Sequence, residues 1–206
     1  MALNFSDRSI VDFKSKMIGG GARSNLFEVT IEYPDLLGLP TDSDGPKATG
    51  EFLIKAAEIP ASNLGNIPVP FRGRVLPIAG DRTFDPWTVT IINDTNFKIR
   101  DAMEKWSNFI NDLQTSQGII NPEDYQTAAF VKQLSREGEA NPGPIDILRE
   151  YRFEGIYPNV VSEIALDYGE TDQIEEFQVT FNYLFYSVTD GVTIGESGSP
   201  DGASLI

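Results

Sequence analysis

The sequence predicts a mainly β domain with one flanking α-helix at about residues 95–117, on three observations. Apolar and polar side chains alternate with period two over several short runs, a single long segment switches to a period near 3.6, and proline or glycine punctuates the joins. The 206 residues are 40% hydrophobic and 11% aromatic, which suffices for one domain to bury a core without a disulfide or a metal.

In chain order, Ile10, Phe13 and Met17 lie at helical spacing behind Ser6, a capping residue type, so a short helix is expected before Gly19-Gly20-Gly21 ends it. Those glycines lack the lysine and the spacing of a phosphate loop and read as a hinge. From Leu26 the period becomes two: Phe27, Val29, Ile31 and Tyr33 take one face and Glu28, Thr30 and Glu32 the other. Residues 34–46 read as an exposed loop. Its tip, Asp42-Ser43-Asp44-Gly45, lacks the third acidic position and the distal glutamate of a calcium loop and is expected to be a solvated turn.

Strands are expected at 51–57, 67–71 and 74–78, where Pro68, Pro70 and Pro77 remove backbone donors and favour edge or bulged geometry. At 87–93, Trp87, Val89 and Ile91 alternate with Thr88 and Thr90. Asp94 or Thr95 then caps the helix, in which Phe97, Ile99, Ala102, Met103, Trp106, Phe109, Ile110 and Leu113 recur every three or four residues before Gly118. This stripe is assigned to core packing and not to a cofactor groove, with Met103, Trp106, Phe109, Ile110 and Leu113 as the candidate helix-core residues. Further strands are expected at 128–135, 145–155, 161–168 and 174–187, the last with Phe177, Val179, Phe181, Tyr183 and Phe185 in one row. The Gly-, Ser- and Asp-rich segment 188–206 is expected to be a mobile acidic tail.

The composition excludes much chemistry. With 16 basic and 31 acidic residues the formal charge is −15, which disfavours general nucleic-acid affinity. The charge is also polarised, because no basic residue follows Arg152 and ten acidic ones do. Absence of Cys and His removes disulfides, thiolate and imidazole catalysis and the usual zinc sites. No apolar run approaches the roughly 20 residues of a membrane span, and the first residues lack the pattern of a secretory signal, so a cytosolic protein without membrane contact is expected. A carbohydrate-active β-sandwich using paired carboxylates is the alternative the composition allows, but no pair is nominated. Asp81 and Asp85 read first as turn residues, and Glu175 and Glu176 as neighbours on opposite strand faces. Asn93-Asp94-Thr95 reads as a helix start and not as a glycosylation site.

Three strings carry a family resemblance. IAGDRTFDPWTVTIIND at 78–94 runs directly into the amphipathic helix, NLFEV stands at 25–29, and GIYPNV at 155–160 leads to Glu163, Leu166 and Asp167 and then to the run 174–186. Their order and spacing from Ala22 to Tyr186 resemble the tail tube proteins of contractile-tailed phages of the T-even type.

The resemblance implies a β-sandwich or barrel-like tube subunit at 22–187, between an N-terminal extension at 1–21 and the tail at 188–206. It implies a non-enzymatic virion protein without cofactor, whose hexameric rings stack into the inner tail tube that conducts the genome into the host. The partners it implies are further copies of the chain, the tail sheath, the tape-measure protein, the baseplate and tail terminator, and DNA in transit without specific binding. The implied location is the virion tail, assembled in the host cytoplasm. A tube subunit of a phage-derived contractile injection or secretion system is the nearest alternative. Relative to the family, the 34–46 loop, the N-terminal segment and the tail are longer. Glu163 and Asp167 share one face of the expected strand 161–168 and are the candidate lumen-facing residues, since an acidic wall does not hold a phosphate backbone.

Overall fold

The computed structural model describes residues 10–17, 21–43, 45–135, 147–169 and 171–190. They form α1 (Ile10–Lys16), β1 (Phe27–Ile31), α2 (Pro46–Leu53), β2 (Ile54–Ala57), β3 (Ser62–Phe71), β4 (Arg74–Phe84), β5 (Trp87–Ile92), α3 (Lys98–Ile110), β6 (Thr127–Leu134), β7 (Ile147–Val161), β8 (Glu176–Asn182) and β9 (Phe185–Asp190). Seven strands pair in the order β1-β6-β7-β8-β5-β2, with β9 also on β7, while β3 and β4 make a separate two-stranded hairpin. The chain is mainly β, as its periodicity predicts.

Two compact units divide the described residues: one comprises Val29–Phe130 and Tyr151–Ser187, the other draws on 1–28, 131–150 and 188–206. In the larger unit the alternation of β5 buries Trp87, Val89 and Ile91 completely. Antiparallel pairing sets them opposite Phe181, Val179 and Phe177 of β8, so three large apolar pairs share one face of the sheet. Trp87 stacks on Phe153 with centroids 4.6 Å apart. Onto this face α3 buries Ile99, Ala102, Met103 and Trp106. The Trp106 ring lies 6.2 Å from Phe181, and its Nε1 donates to the Tyr125 carbonyl at 2.8 Å, which satisfies the polar end of a fully buried indole. In the smaller unit, Leu134 N donates to Leu26 O at 3.0 Å and Lys132 pairs with Glu28 at 2.8 Å, while α1 buries no residue. Ser6, Gly19, Gly20, Asp44 and the tail from 191 onward lie outside the described residues.

Several elements differ from the sequence reading. The helix occupies Lys98–Ile110 and not 95–117, because local side chains compete for its ends. At the start, Asp94 Oδ1 accepts from Lys98 N at 3.0 Å and Phe97 takes a left-handed conformation. At the end, Asn108 Oδ1 accepts from Leu113 N, and Asp112 Oδ1 accepts from Gln114 N, Thr115 N and the Thr115 hydroxyl. The donors of Thr115 and then Gln114 hold the Asp112 carboxyl below its ordinary range. Gly118 closes the resulting loop by bridging Asn111, where a Cβ would meet the Ile110 carbonyl at 2.7 Å. Leu113 is therefore not a helix-core residue: it sits past the helix and is 89% exposed, and Phe109 and Ile110 are half-buried.

The 34–46 segment contains a 3-10 turn at Asp35–Leu37, and α2 replaces the first half of the strand expected at 51–57. The usable signal was Pro46 at the first helical position. Apolar spacing concealed it, since Phe52 is 86% exposed while Gly50 is buried. The strand expected at 145–155 runs on to Val161 as the 15-residue strand β7, and the strand expected at 161–168 is not formed, since residues 162–167 have no regular structure. The strand expected at 174–187 breaks at Tyr183 and Leu184, after which Phe185 is exposed and Tyr186 turns toward Phe153. Gly80 and Asp81 lie inside β4 and not in a turn.

Candidate functional site

The surface offers no assembled reaction centre among the described residues; its most developed feature is the hairpin β3–β4. Its strands pair from Ser62↔Phe84 to Phe71↔Arg74, with a register shift between Leu64 and Asn66. Arg72 and Gly73 make the turn, both with positive φ, the pattern of a tight hairpin turn. At the base, Asn63 Nδ2 donates to the Asp85 carboxylate at 3.2 Å, and Phe84 packs 5.7 Å from Tyr183 and 5.6 Å from Tyr186. The aromatic base thus holds a two-stranded ribbon that, among the described residues, has no further partner strand.

Alternation along the hairpin separates two faces. Ile67, Val69 and Phe71 share one face with their cross-strand partners Ile78, Leu76 and Arg74. All five apolar side chains in that set are exposed, from 38% at Val69 to 66% at Phe71, and the Arg72 guanidinium lies 5.3 Å from the Phe71 ring centroid. The opposite face carries Asn66, Pro68 and Pro70 against Ala79, Pro77 and Val75.

The carboxylates singled out in the sequence do not converge. Asp85 takes its donors from Asn63, Glu175 accepts from Asn93 at 3.1 Å, and Glu176 pairs with Lys55 at 2.6 Å. Glu163 and Asp167 are exposed in the irregular segment after β7, where Asp167 Oδ1 accepts from Gly169 N at 2.8 Å. No strand face joins them. An open cleft of about 310 Å³ is lined by Glu32, Tyr33, Pro34, Asp35 and Lys47 among others, but Lys47 already pairs with Glu32 at 3.3 Å. No group of three or more potential metal-ligating carboxylates occurs among the described residues. Sequence reading placed strands in the hairpin region without recognising the ribbon; the alternation of Ile67, Val69 and Phe71 was the available signal.

An anchored, solvent-exposed apolar ribbon on a sheet domain is the kind of surface that marks an interaction site. Residues 22–189 match the family model described as phage tail tube protein, and the chain belongs to that family. It is 33% identical over 162 residues to the tail tube protein gp19 of Enterobacteria phage T4, covering 79% of this chain and 88% of that one. Identity to the tail tube protein of Serratia phage KSP90 is 27% over 184 residues, covering 88% and 97%. In fold it is similar to a chain in the cryo-EM structure of the anti-feeding prophage tube-terminating cap, with TM-score 0.56 at 14% identity, covering 82% of this chain and 91% of that one. A chain from the sheath/tube terminator of an extracellular contractile injection system gives TM-score 0.55 at 10% identity, covering 82% and 96%.

Proposed function

We propose that this chain is the structural subunit of a contractile phage tail tube, whose copies close into hexameric rings that stack into a hollow conduit. The observation that carries the reading is the family match across 22–189 together with 33% identity to the T4 tube protein over most of both chains. The physics agrees with it: a β protomer with exposed apolar surface completes itself by joining neighbours, and head-to-tail contacts between rings propagate as an open filament. In this role the tube lies inside the sheath, starts on the baseplate, surrounds the tape-measure protein during assembly and passes DNA without binding it. No catalytic step belongs to this role.

A tube in a phage-derived injection device is the second reading, supported by the fold shared with injection-system chains. That likeness concerns fold alone, whereas the sequence identity is with phage tube proteins, so the virion reading is preferred. Electron microscopy of the purified protein at high concentration tests the proposal: rings or tubes with sixfold symmetry are expected. A chain that stays monomeric even on purified baseplates would refute it.

A further inference from the structure

We infer that the bulge set by Gly65 against Gly80 and Asp81 is a hinge, on which the distal arm of the hairpin, residues 66–79, turns relative to a fixed base. The inference goes beyond the tube reading and stands on the protomer alone. Three observations carry it.

First, the ladder is interrupted at one place, and glycine lies on both sides of it. Leu64 pairs with Arg82 and Asn66 with Ala79, so Gly65 stands against the two residues Gly80 and Asp81. Two residues opposing one is the geometry of a β-bulge, where the strand bends and the ladder is locally broken. The two backbones approach closely here. A Cβ on Gly65 would lie 3.1 Å from the Asp81 carbonyl oxygen, and one on Gly80 would lie 3.3 Å from the Gly65 carbonyl carbon. Lacking side chains, both residues keep the widest choice of backbone angles at the point where pairing does not dictate them.

Second, the ribbon is held on one side of the bulge and free on the other. Toward the sheet, Asn63 Nδ2 donates to the Asp85 carboxylate, Asp85 N donates to Ala61 O at 3.4 Å, and Phe84 packs against Tyr183 and Tyr186. Toward the tip, every residue from 66 to 79 is exposed. Burial therefore does not fix the direction in which the arm leaves its base.

Third, the arm itself is stiff. Its ladder runs without a further shift from Asn66↔Ala79 to Phe71↔Arg74, and Pro68, Pro70 and Pro77 each lock φ within it. A stiff arm on a clamped base concentrates bending at the glycine bulge, in the way that hinges confine a change of φ and ψ to a few residues.

The chain has no native cysteine, so pairs of spin labels report on it without background. Double electron–electron resonance on the full chain, diluted with unlabelled protein, would measure two distances to Lys105→Cys, an exposed position on α3. One starts from Thr83→Cys in the base and the other from Val75→Cys in the arm, both exposed. The base distance is expected to be narrowly distributed and the arm distance at least about twice as broad, the spread of a hinged element. Adding Gly65→Ala and Gly80→Ala should narrow the arm distribution to the width of the base one and leave the base distribution unchanged. An arm distance as narrow as the base distance without the alanines would overturn the inference. An arm distance that stays equally broad with them would also overturn it, because the motion would then lie elsewhere in the ribbon. If the alanine variant does not fold, the comparison of the two distances without it decides. None of these outcomes bears on ring formation, so the hinge can fail while the tube reading stands.

Discussion

Gly155 and Leu184 meet where β7 passes from one partner to the next. Gly155 has φ +66°, and a Cβ built on it would lie 2.8 Å from Leu184 Cδ1. Leu184 N donates to Glu154 O at 2.9 Å, and from Tyr157 onward β7 is in register with β8. The positive φ of one residue thus shapes the joint at which the C-terminal run divides into β8 and β9.

Gly155→Ala is accordingly expected to destabilise the protomer by about 1 to 3 kcal/mol, the usual cost of holding a side-chain-bearing residue in a left-handed conformation. Leu184 is exposed and its side chain can move aside, so the backbone and not the clash dominates. Denaturant unfolding of the double variant with Leu184→Ala checks this. Full rescue by the second change would show that crowding was the cause.

Trp106→Ala should cost about 3 to 5 kcal/mol, as large-to-small changes in packed cores do. The residue is fully buried, with rings of Tyr33 and Phe181 at 5.7 Å and 6.2 Å. Trp106→Phe should cost less, although it leaves the Tyr125 carbonyl without its donor. An unchanged unfolding midpoint in the alanine variant would contradict the packing of α3.

How far the sequence was legible follows from what each element depends on. Strand β5 and the inner half of α3 were readable because burial alone decides them, and Trp87, Val89, Ile91, Ile99, Met103 and Trp106 obey one period each. The C-terminal end of α3 was not, since Asn108 and Asp112 end the helix through side-chain bonds that hydrophobic spacing does not register. The break at Tyr183 and Leu184 was hidden for a related reason: the alternating row continues through Phe185 in sequence, but contact with Glu154 turns the chain. The exposed apolar residues of the hairpin have the same alternation as core strands, so pattern alone does not separate an exposed face from a buried one.

Tyr183 gives the protomer a defined alkaline sensitivity. Burial first, then the negative charges of Tyr186 and Asp85, push its phenol up to about 12 from 10.0. A folded pKa above the unfolded one means that the unfolded chain loses its proton first, so stability is intact below pH 10 and declines as pH rises toward 12. Melting temperatures across that range are expected to fall, and Tyr183→Phe should remove part of the slope. An identical slope in the variant would assign the loss to other groups.

Salt should promote ring stacking. Each protomer carries −15, and repulsion between like-charged subunits is shortened to roughly 10 Å at 0.1 M ionic strength. Sedimentation at fixed protein concentration is therefore expected to show more assembly as salt rises from low values. A steady decrease would mean that attractive ion pairs dominate the contacts.

The remaining prediction concerns Glu163 and Asp167, proposed here to face the lumen. They share no strand face; both are exposed in one segment outside the sheet. Basic side chains on a conduit wall would exchange condensed counterions for phosphate contacts and bind DNA with steep salt dependence; carboxylates remove that contact. Because fields decay within about 8 Å at physiological ionic strength, the acids prevent sticking near the wall without driving the genome along it. Replacing both with lysine should leave tubes assembled, since neither side chain packs in the core, and should slow or stall DNA delivery, most of all at low salt. Delivery at the wild-type rate from particles shown to contain the double variant would argue against lumen placement. A tube reconstruction with both carboxylates on the outer wall would exclude it outright, and would move the acidic segment to the surface that meets the sheath.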